Sequence, residues 1–186
     1  WRELYYFVPF SGQGGDRVRI VAAEDNTTVF FDCENVAQLD EGELFSTFVT
    51  DATVITSTAP VRVTQYTNGY SCEPSQLGDP NGLSYLPADF LGTSVRWRAS
   101  DRINPSNASP QFEKHYITVI GHIIAIANLP LDGTQITTFN TFAGNPDWQY
   151  VQINVGSGEH ELLSLEGVQA YSYGFAFADA YTNNLG

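Results

Sequence analysis

Ser57-Thr58-Ala59-Pro60-Val61-Arg62-Val63, running on to Tyr66, returns later in the chain as Ser164-Leu165-Glu166-Gly167-Val168-Gln169-Ala170, running on to Tyr173. Ser57/Ser164, Val61/Val168 and Tyr66/Tyr173 are identical at an offset of 164 − 57 = 107. A second pair of stretches keeps the same offset, 132 − 25 = 107: Glu24-Asp25-Asn26-Thr27-Thr28-Val29 and Leu131-Asp132-Gly133-Thr134-Gln135-Ile136. Asp25/Asp132 and Thr27/Thr134 are identical, while Val29/Ile136, Leu44/Val151 and Phe48/Val155 keep their character. A constant offset at separated places reads as one supersecondary unit used twice. Scaffolds assembled by duplication more often present a surface than build one catalytic cleft.

Working outward, the segments around these repeats alternate as strands do. Arg17-Val18-Arg19-Ile20-Val21 and Tyr150-Val151-Gln152-Ile153-Asn154-Val155 each lay one face on a core and wet the other. Further strands are expected at 4–9, 28–33, 43–49, 53–57, 61–67, 114–120, 123–128, 135–139, 159–164 and 168–177. Turn residues stand between them at Asp25-Asn26, Asp40-Glu41-Gly42, Asp132-Gly133 and Gly156-Ser157-Gly158. Helical periodicity is nearly absent, with only residues 86–91 suited to a short helical turn. The expected fold is all-β, an antiparallel β-sandwich built from two pseudo-repeated halves at 1–67 and 114–186. A connector at 68–113 packs on the halves; it holds five of the nine prolines and the loop-forming run 104–110, so it differs in kind from the repeats.

Composition narrows the partners. The 186 residues carry a formal charge of −13, with Lys114 the only lysine, which argues against nucleic acid and anionic lipid because both demand clustered cations. No apolar run approaches a membrane-spanning length, so direct membrane insertion is not expected. The chain starts at Trp1 and contains no Met, and it reads as a piece of a longer protein already without a signal peptide. Acidic, lysine-poor chains are common among secreted proteins. In such a setting Cys33 and Cys72, 72 − 33 = 39 residues apart and matching no zinc or redox spacing, are expected to form a disulfide, with two unconnected buried thiols as the alternative. Asn26-Thr27-Thr28 and Asn107-Ala108-Ser109 fit the N-glycosylation pattern; Pro105 excludes Asn104.

The ordered series Glu24-Asp25-Asn26-Thr27-Thr28-Val29, Gly42-Glu43, Val54-Ile55-Thr56-Ser57 with Pro60-Val61, Gln65-Tyr66 with Gly69, Cys72, Gly78-Asp79-Pro80, Leu86-Pro87, Tyr116-Ile117, Leu131-Asp132-Gly133, Gly158 with His160, Ser164, and Tyr173-Gly174-Phe175 leading to Tyr181 resembles the N-terminal domain of IgGFc-binding proteins. The likeness runs from about residue 5 to 186, departing at Asn81-Gly82-Leu83, where a more apolar run is usual. It implies an extracellular, β-rich, non-enzymatic module of mucus, matrix or surface adhesins. It does not carry over antibody binding, because similar modules occur in proteins that have no contact with antibodies.

Chemistry-bearing residues are few. His115 and His122 lie seven apart, either facing each other across a hairpin or facing opposite ways, and His160 is flanked by Glu159 and Glu161. No G-x-S-x-G elbow is present, and Ser11-Gly12-Gln13-Gly14-Gly15-Asp16 precedes a strand and not the helix a phosphate loop needs. Carboxylates gather at Glu24/Asp25, Asp40/Glu41/Glu43, Glu73 with Asp79, and Glu159/Glu161; no metal site is assigned, and a structural calcium ion is the one cofactor such turns could take. Tyr171, Tyr173, Phe175 and Phe177 share one strand face, either as core or as a stacking platform. Trp97 between Arg96 and Arg98, and Trp148 beside Tyr150, are the candidate contact residues. The functional expectation is non-catalytic recognition or adhesion outside the cell or at its surface, with a glycan, a protein or copies of the chain as partner. The first rival is a filament or matrix subunit whose segment Trp1 to Val8 adds a strand to its neighbour. The second is a carbohydrate-active enzyme, which needs two carboxylates facing each other across a cleft.

Overall fold

The computed structural model describes residues 1–72 and 77–185. In the first sheet run β1 (Arg2–Phe7), β2 (Asp16–Ala22), β3 (Thr27–Phe31), β4 (Glu34–Leu39), β5 (Leu44–Val49), β6 (Thr53–Tyr66) and β7 (Gly82–Ser84). The second holds β8 (Gly92–Ala99), β9 (Lys114–His122), β10 (Pro130–Leu131), β11 (Thr134–Gln135), β12 (Asn140–Phe142), β13 (Asn145–Val155), β14 (Gly158–Ala176) and β15 (Asp179–Asn184). One short helix, α1 (Ile123–Ile126), and a 3-10 turn at Tyr70–Cys72 complete the described elements. The protein is therefore an all-β sandwich of two antiparallel sheets, ordered β4-β3-β6-β2-β5 with β1 and β7 also on β6, and β11-β10-β14-β9-β13-β12 with β8 and β15 also on β14.

These two orders are one topology written twice. Each neighbour of β6 has a counterpart on β14: β1 with β8, β3 with β10, β2 with β9, β7 with β15. The registers agree residue by residue, since Tyr5 pairs with Ile55 as Val95 pairs with Leu162, and Phe7 with Thr53 as Trp97 with His160. Along β6 and β14 the offset is 162 − 55 = 107, the value read from the sequence. The Asp25/Asp132 match, by contrast, is a coincidence. Phe31 faces Ile55 where Leu131 faces Leu162, so the counterpart of Asp132-Gly133 is Asp32-Cys33. All four residues have positive φ (50°, 77°, 46° and 73°), the backbone that two-residue hairpins require. Leu44/Val151 is also shifted by one: Val21 pairs with Leu44 as Ile120 pairs with Tyr150.

Residues 53–57 and 61–67, expected as two strands, form one long β6, and 159–164 with 168–177 form one β14. The interruptions survive as irregularities in the ladders, between Arg2 and Leu4 on β1 and between Leu163 and Val168 on β14, where Gly167 adopts φ 86°. The expected strand 123–128 is instead α1, capped by His122 Nδ1, which accepts from the Ile124 amide at 3.3 Å. A short apolar run carries no period, so helix and strand were indistinguishable there. Residues 86–91 make a turn and no helix.

Alternation assigns each face. In the first sheet Val18, Ile20, Ile55, Val61 and Val63 point into a core that also takes Tyr5 and Phe7. What closes this core is the outer face of the second sheet: Ile120, Tyr171, Tyr173 and Phe175 are buried in it, with Tyr116 and Tyr150 packed at its margin. Tyr85 stacks on Tyr171 at 4.6 Å and Phe10 tilts onto Tyr173 at the same separation. The opposite face of the second sheet, with Ile117, Val119, Val168 and Ala170, forms a second core closed by Ala125, Ile126 and Leu129. Gly121 makes room for that closure, because a Cβ there would lie 2.8 Å from Ile126 Cγ2.

Polar groups stitch the seam. Tyr173 Oη accepts from the Ser11 amide at 2.9 Å and from Gln152 Nε2 at 3.1 Å, and Gln152 also donates to Pro9 O at 2.7 Å. Tyr171 Oη accepts from the Leu86 amide at 3.2 Å, while Gln169 donates to Pro87 O at 2.5 Å. The glycine-rich loop before β2 is thus a clasp between sheets, anchored by Asp16 Oδ2, which accepts from the Phe10 amide and from Gln65.

Three further sequence expectations need correction. Cys33 and Cys72 are free and exposed, neither bridged nor buried. Cys33 follows the Ile55 end of β6 and Cys72 lies beyond Tyr66, 66 − 55 = 11 residues along. At about 3.3 Å per residue that places them on the order of 30 Å apart, against the roughly 7 Å a disulfide spans. The segment proposed for strand addition is already β1, paired to β6 in its own sheet, with Tyr5, Tyr6, Phe7 and Val8 buried. Phe177 leaves the row of Tyr171, Tyr173 and Phe175: it is 67% exposed and lies against Tyr70.

Tyr173→Phe is expected to lower stability by about 1–3 kcal/mol, because the Ser11 amide and Gln152 lose a buried acceptor; urea denaturation should show a lower midpoint at an unchanged slope. Both thiols should react with a thiol reagent in the folded protein without reductant, whereas a disulfide would leave neither reactive.

Candidate functional site

Strand β8 is where the candidate residues meet their partners. Its sequence Ser94-Val95-Arg96-Trp97-Arg98-Ala99 alternates strictly, so Val95, Trp97 and Ala99 are buried while Arg96 and Arg98 stand out. The ladder to β14 sets Arg96 opposite Glu161, Trp97 opposite His160 and Arg98 opposite Glu159. Arg96 Nε donates to Glu161 Oε1 at 2.6 Å, and Arg98 donates to Glu159 Oε1 at 3.1 Å and to Asp101. That pairing holds the Asp101 carboxyl below and the Arg98 guanidinium above their ordinary values. Together with Asp132 these residues line an open groove along the β8–β14 pair.

Below the charged row, Trp97 and His160 rings lie 5.1 Å apart. His160 Nδ1 is 2.7 Å from Asp132 Oδ2 and its Nε2 is 2.9 Å from Gly156 O, so both ring nitrogens are committed to oxygen acceptors. Asp132 Oδ1 also accepts from the Glu161 amide at 2.8 Å. Burial alone would raise the Asp132 carboxyl; the His160 and Glu161 hydrogen bonds outweigh it and hold the group below the usual range. Trp97 is 8% exposed, and its indole Nε1 has no acceptor among the described residues.

The charged groups of the groove are paired with one another. Its two glutamates sit on one strand, each neutralised by an arginine, and do not oppose each other across a cleft. Both ring nitrogens of His160 are within hydrogen-bond distance of oxygens, and among the described residues no serine or cysteine lines the groove. The other histidines are structural. His115 Nδ1 is 2.9 Å from Tyr181 Oη; burial holds the imidazole below its ordinary value and pushes Tyr181 up to about 12. His122 caps α1 beside Trp148. The two share β9 and so do not face each other across a hairpin.

Of the five predicted contact residues, Arg96, Trp97 and Arg98 converge here. Trp148 and Tyr150 do not. Trp148 stacks on Tyr6 at 4.2 Å and Tyr150 tilts onto Phe142 at 5.1 Å, both half-buried at the margin of the seam. Sequence reading missed Asp132 as the anchor of His160, since the β10–β11 turn and β14 meet only through the ladder. It also missed β8, although the alternation from Ser94 to Ala99 was a usable signal.

The turn carboxylates are mostly spent on backbone amides: Asp25 on Glu41, Asp40 on Asn26, Glu43 on Asp40. Among the described residues no three histidines, cysteines or carboxylates are placed to hold a metal ion; Glu73 lies outside them. Asn26 and Asn107, the sequon residues, are both exposed.

A family model described as IgGFc binding protein matches residues 1–174. The chain belongs to the IgGFc-binding protein family. That family is one of binding modules. Comparison with curated proteins gives no match. Two solved structures show distant likeness: a Pleurotus ostreatus lectin in its apo form, at 10% identity and TM-score 0.25 over 100% of this chain and 74% of the lectin, and a GH2 β-galacturonidase from Eisenbergiella tayi bound to galacturonate, at 11% identity and TM-score 0.23 over 100% of this chain and 36% of the enzyme. At such scores neither likeness bears on this family member's fold or ligand.

Asp132→Ala removes the acceptors of both His160 and the Glu161 amide. It should lower stability by about 1–2 kcal/mol and shift the His160 ring signals in NMR, while a purely solvated Asp132 would leave both unchanged.

Proposed function

We propose that the chain is a non-catalytic recognition module of a larger secreted or cell-surface protein, and that the β8–β14 groove holds a neutral, hydroxyl-rich glycan. The observation that carries this reading is the self-neutralised row Arg96/Glu161 and Arg98/Glu159 along the open groove. Fixed donors and acceptors of both signs suit hydroxyl groups better than an ion, which would have to break an existing pair. Membership of the family supports a binding role and an extracellular setting.

The test is a glycan array probed with the wild type and with Arg96→Ala/Arg98→Ala. Exposed ion pairs contribute little to stability, so the variant should fold normally. Binding of neutral glycans that falls about tenfold or more, a loss of about 1.4 kcal/mol, is the expected result. Binding that is undiminished in the variant, or absent in the wild type, contradicts the reading.

A further inference from the structure

The duplication allows the outer faces of the two sheets to be compared position by position. In the second sheet that face carries Tyr116, Thr118 and Gln169, and it is packed against the first half. The ladders give their first-sheet counterparts: Arg17 opposite Tyr66 as Tyr116 opposite Tyr173, Arg19 opposite Thr64 as Thr118 opposite Tyr171, Arg62 opposite Val21 as Gln169 opposite Ile120. All three counterparts are arginine, and all three are exposed. One copy of the face is an interface, and the other is cationic and uncovered.

From these residues we infer that the outer face of the first sheet, at Arg17, Arg19 and Arg62, is a docking site for a linear sulfated glycan. In a chain of net charge −13 with eight basic residues in all, three lie on this face, and none has a carboxylate partner among the described residues. Arg19 lies over the Tyr66 ring at 4.9 Å and Arg62 donates to Ser84 Oγ at 2.7 Å, so both guanidiniums are held in place with donors to spare. The surrounding positions of the face are Val21, Leu44, Ser46, Phe48, Thr64, Tyr66, Gly82 and Ser84: hydroxyls, rings and aliphatics, with no acid.

Geometry selects the occupant. Arg17 and Arg19 stand two residues apart on β2 and Arg62 is diagonal to Arg19 on β6, which makes a stripe with steps of about 7–8 Å over roughly 14 Å. Three rows across four strands cover only about 400 Å², about half the roughly 800 Å² per partner of a stable protein interface. A narrow stripe of evenly spaced cations fits an extended polymer with an anion on successive units. Sulfates accept the paired N–H groups of guanidinium, and the hydroxyls between the arginines can meet those of the sugar. The attraction is short-ranged, since the Debye length near 8 Å screens the remaining negative charge of the module.

The experiment is retention on immobilised heparin and calorimetry with heparin oligosaccharides at low and high salt. Fully desulfated heparin, a single-stranded DNA oligonucleotide and polyglutamate serve as comparison polymers. Wild type should bind heparin at low salt, release it on adding salt, and prefer it to all three comparisons. R17Q/R19Q/R62Q should weaken binding at least about tenfold, with R19Q alone giving a smaller loss if the triple variant melts early, while R96A/R98A leaves heparin binding intact. That last arm separates this site from the proposed groove. No retention at low salt, equal binding of desulfated heparin, DNA or polyglutamate, or full binding by the folded arginine variants would each overturn the inference.

Discussion

Burial of one sheet's outer face in the other half's core is the interaction on which the rest of the molecule depends. Tyr171, Tyr173 and Phe175 are each at most 1% exposed in that seam. Burying a large apolar side chain is worth about 1.5–3 kcal/mol, so three such rings account for a stabilisation comparable with the whole 5–15 kcal/mol margin of an ordinary domain. The dependence is unequal. Without the second sheet the first has no lid over Val18, Ile20 and Val63, whereas the second retains a separate core under α1. The clasp residues fit this picture, because Pro9, Ser11, Leu86 and Pro87 give their backbone groups to the second sheet's tyrosines and glutamines.

A duplicated unit that stacks face into mouth leaves one outer face unused, and this asymmetry organises the surface. Where the buried copy has Tyr116, Thr118 and Gln169, the free copy has arginines; where the first mouth is filled by a sheet, the second is filled by α1. The β8–β14 groove belongs to the same logic. Trp97 and His160 are the counterparts of Phe7 and Thr53, yet Phe7 is wholly buried in the seam core while Trp97 lies beside an open edge. Equivalent positions have diverged according to whether the other half covers them.

Much of this was legible in the sequence because strand alternation and the Ser57/Ser164 repeat record the same pleat. The 107-residue register of β6 and β14 could be read directly; that of the hairpins could not, since insertions between strands change the offset to 131 − 31 = 100 at Phe31 and Leu131. Asp25 and Asp132 looked equivalent because both precede a Thr in a turn, a pattern that turn chemistry produces independently. The Ile123–Ile126 run was unreadable for want of a period. Cys33 misled for another reason: in the fold it takes the place of Gly133 in a hairpin turn, so its position reflects the turn and not a bridge. The groove was half visible, as Arg96-Trp97-Arg98 and Glu159-His160-Glu161, but only the ladder shows that they face each other.

Native-state hydrogen exchange over a urea series tests the stacked-duplicate account most directly. If the second sheet is the lid of the first core, backbone amides of β2 and β6 should share one global opening free energy with those of β9 and β14. The Ser11 and Leu86 amides, which donate to Tyr173 and Tyr171, should follow the same isotherm. Exchange of β2 and β6 through a separate, lower-energy opening, with β9 and β14 still protected and the Ser11 amide as fast as an exposed loop, would contradict it.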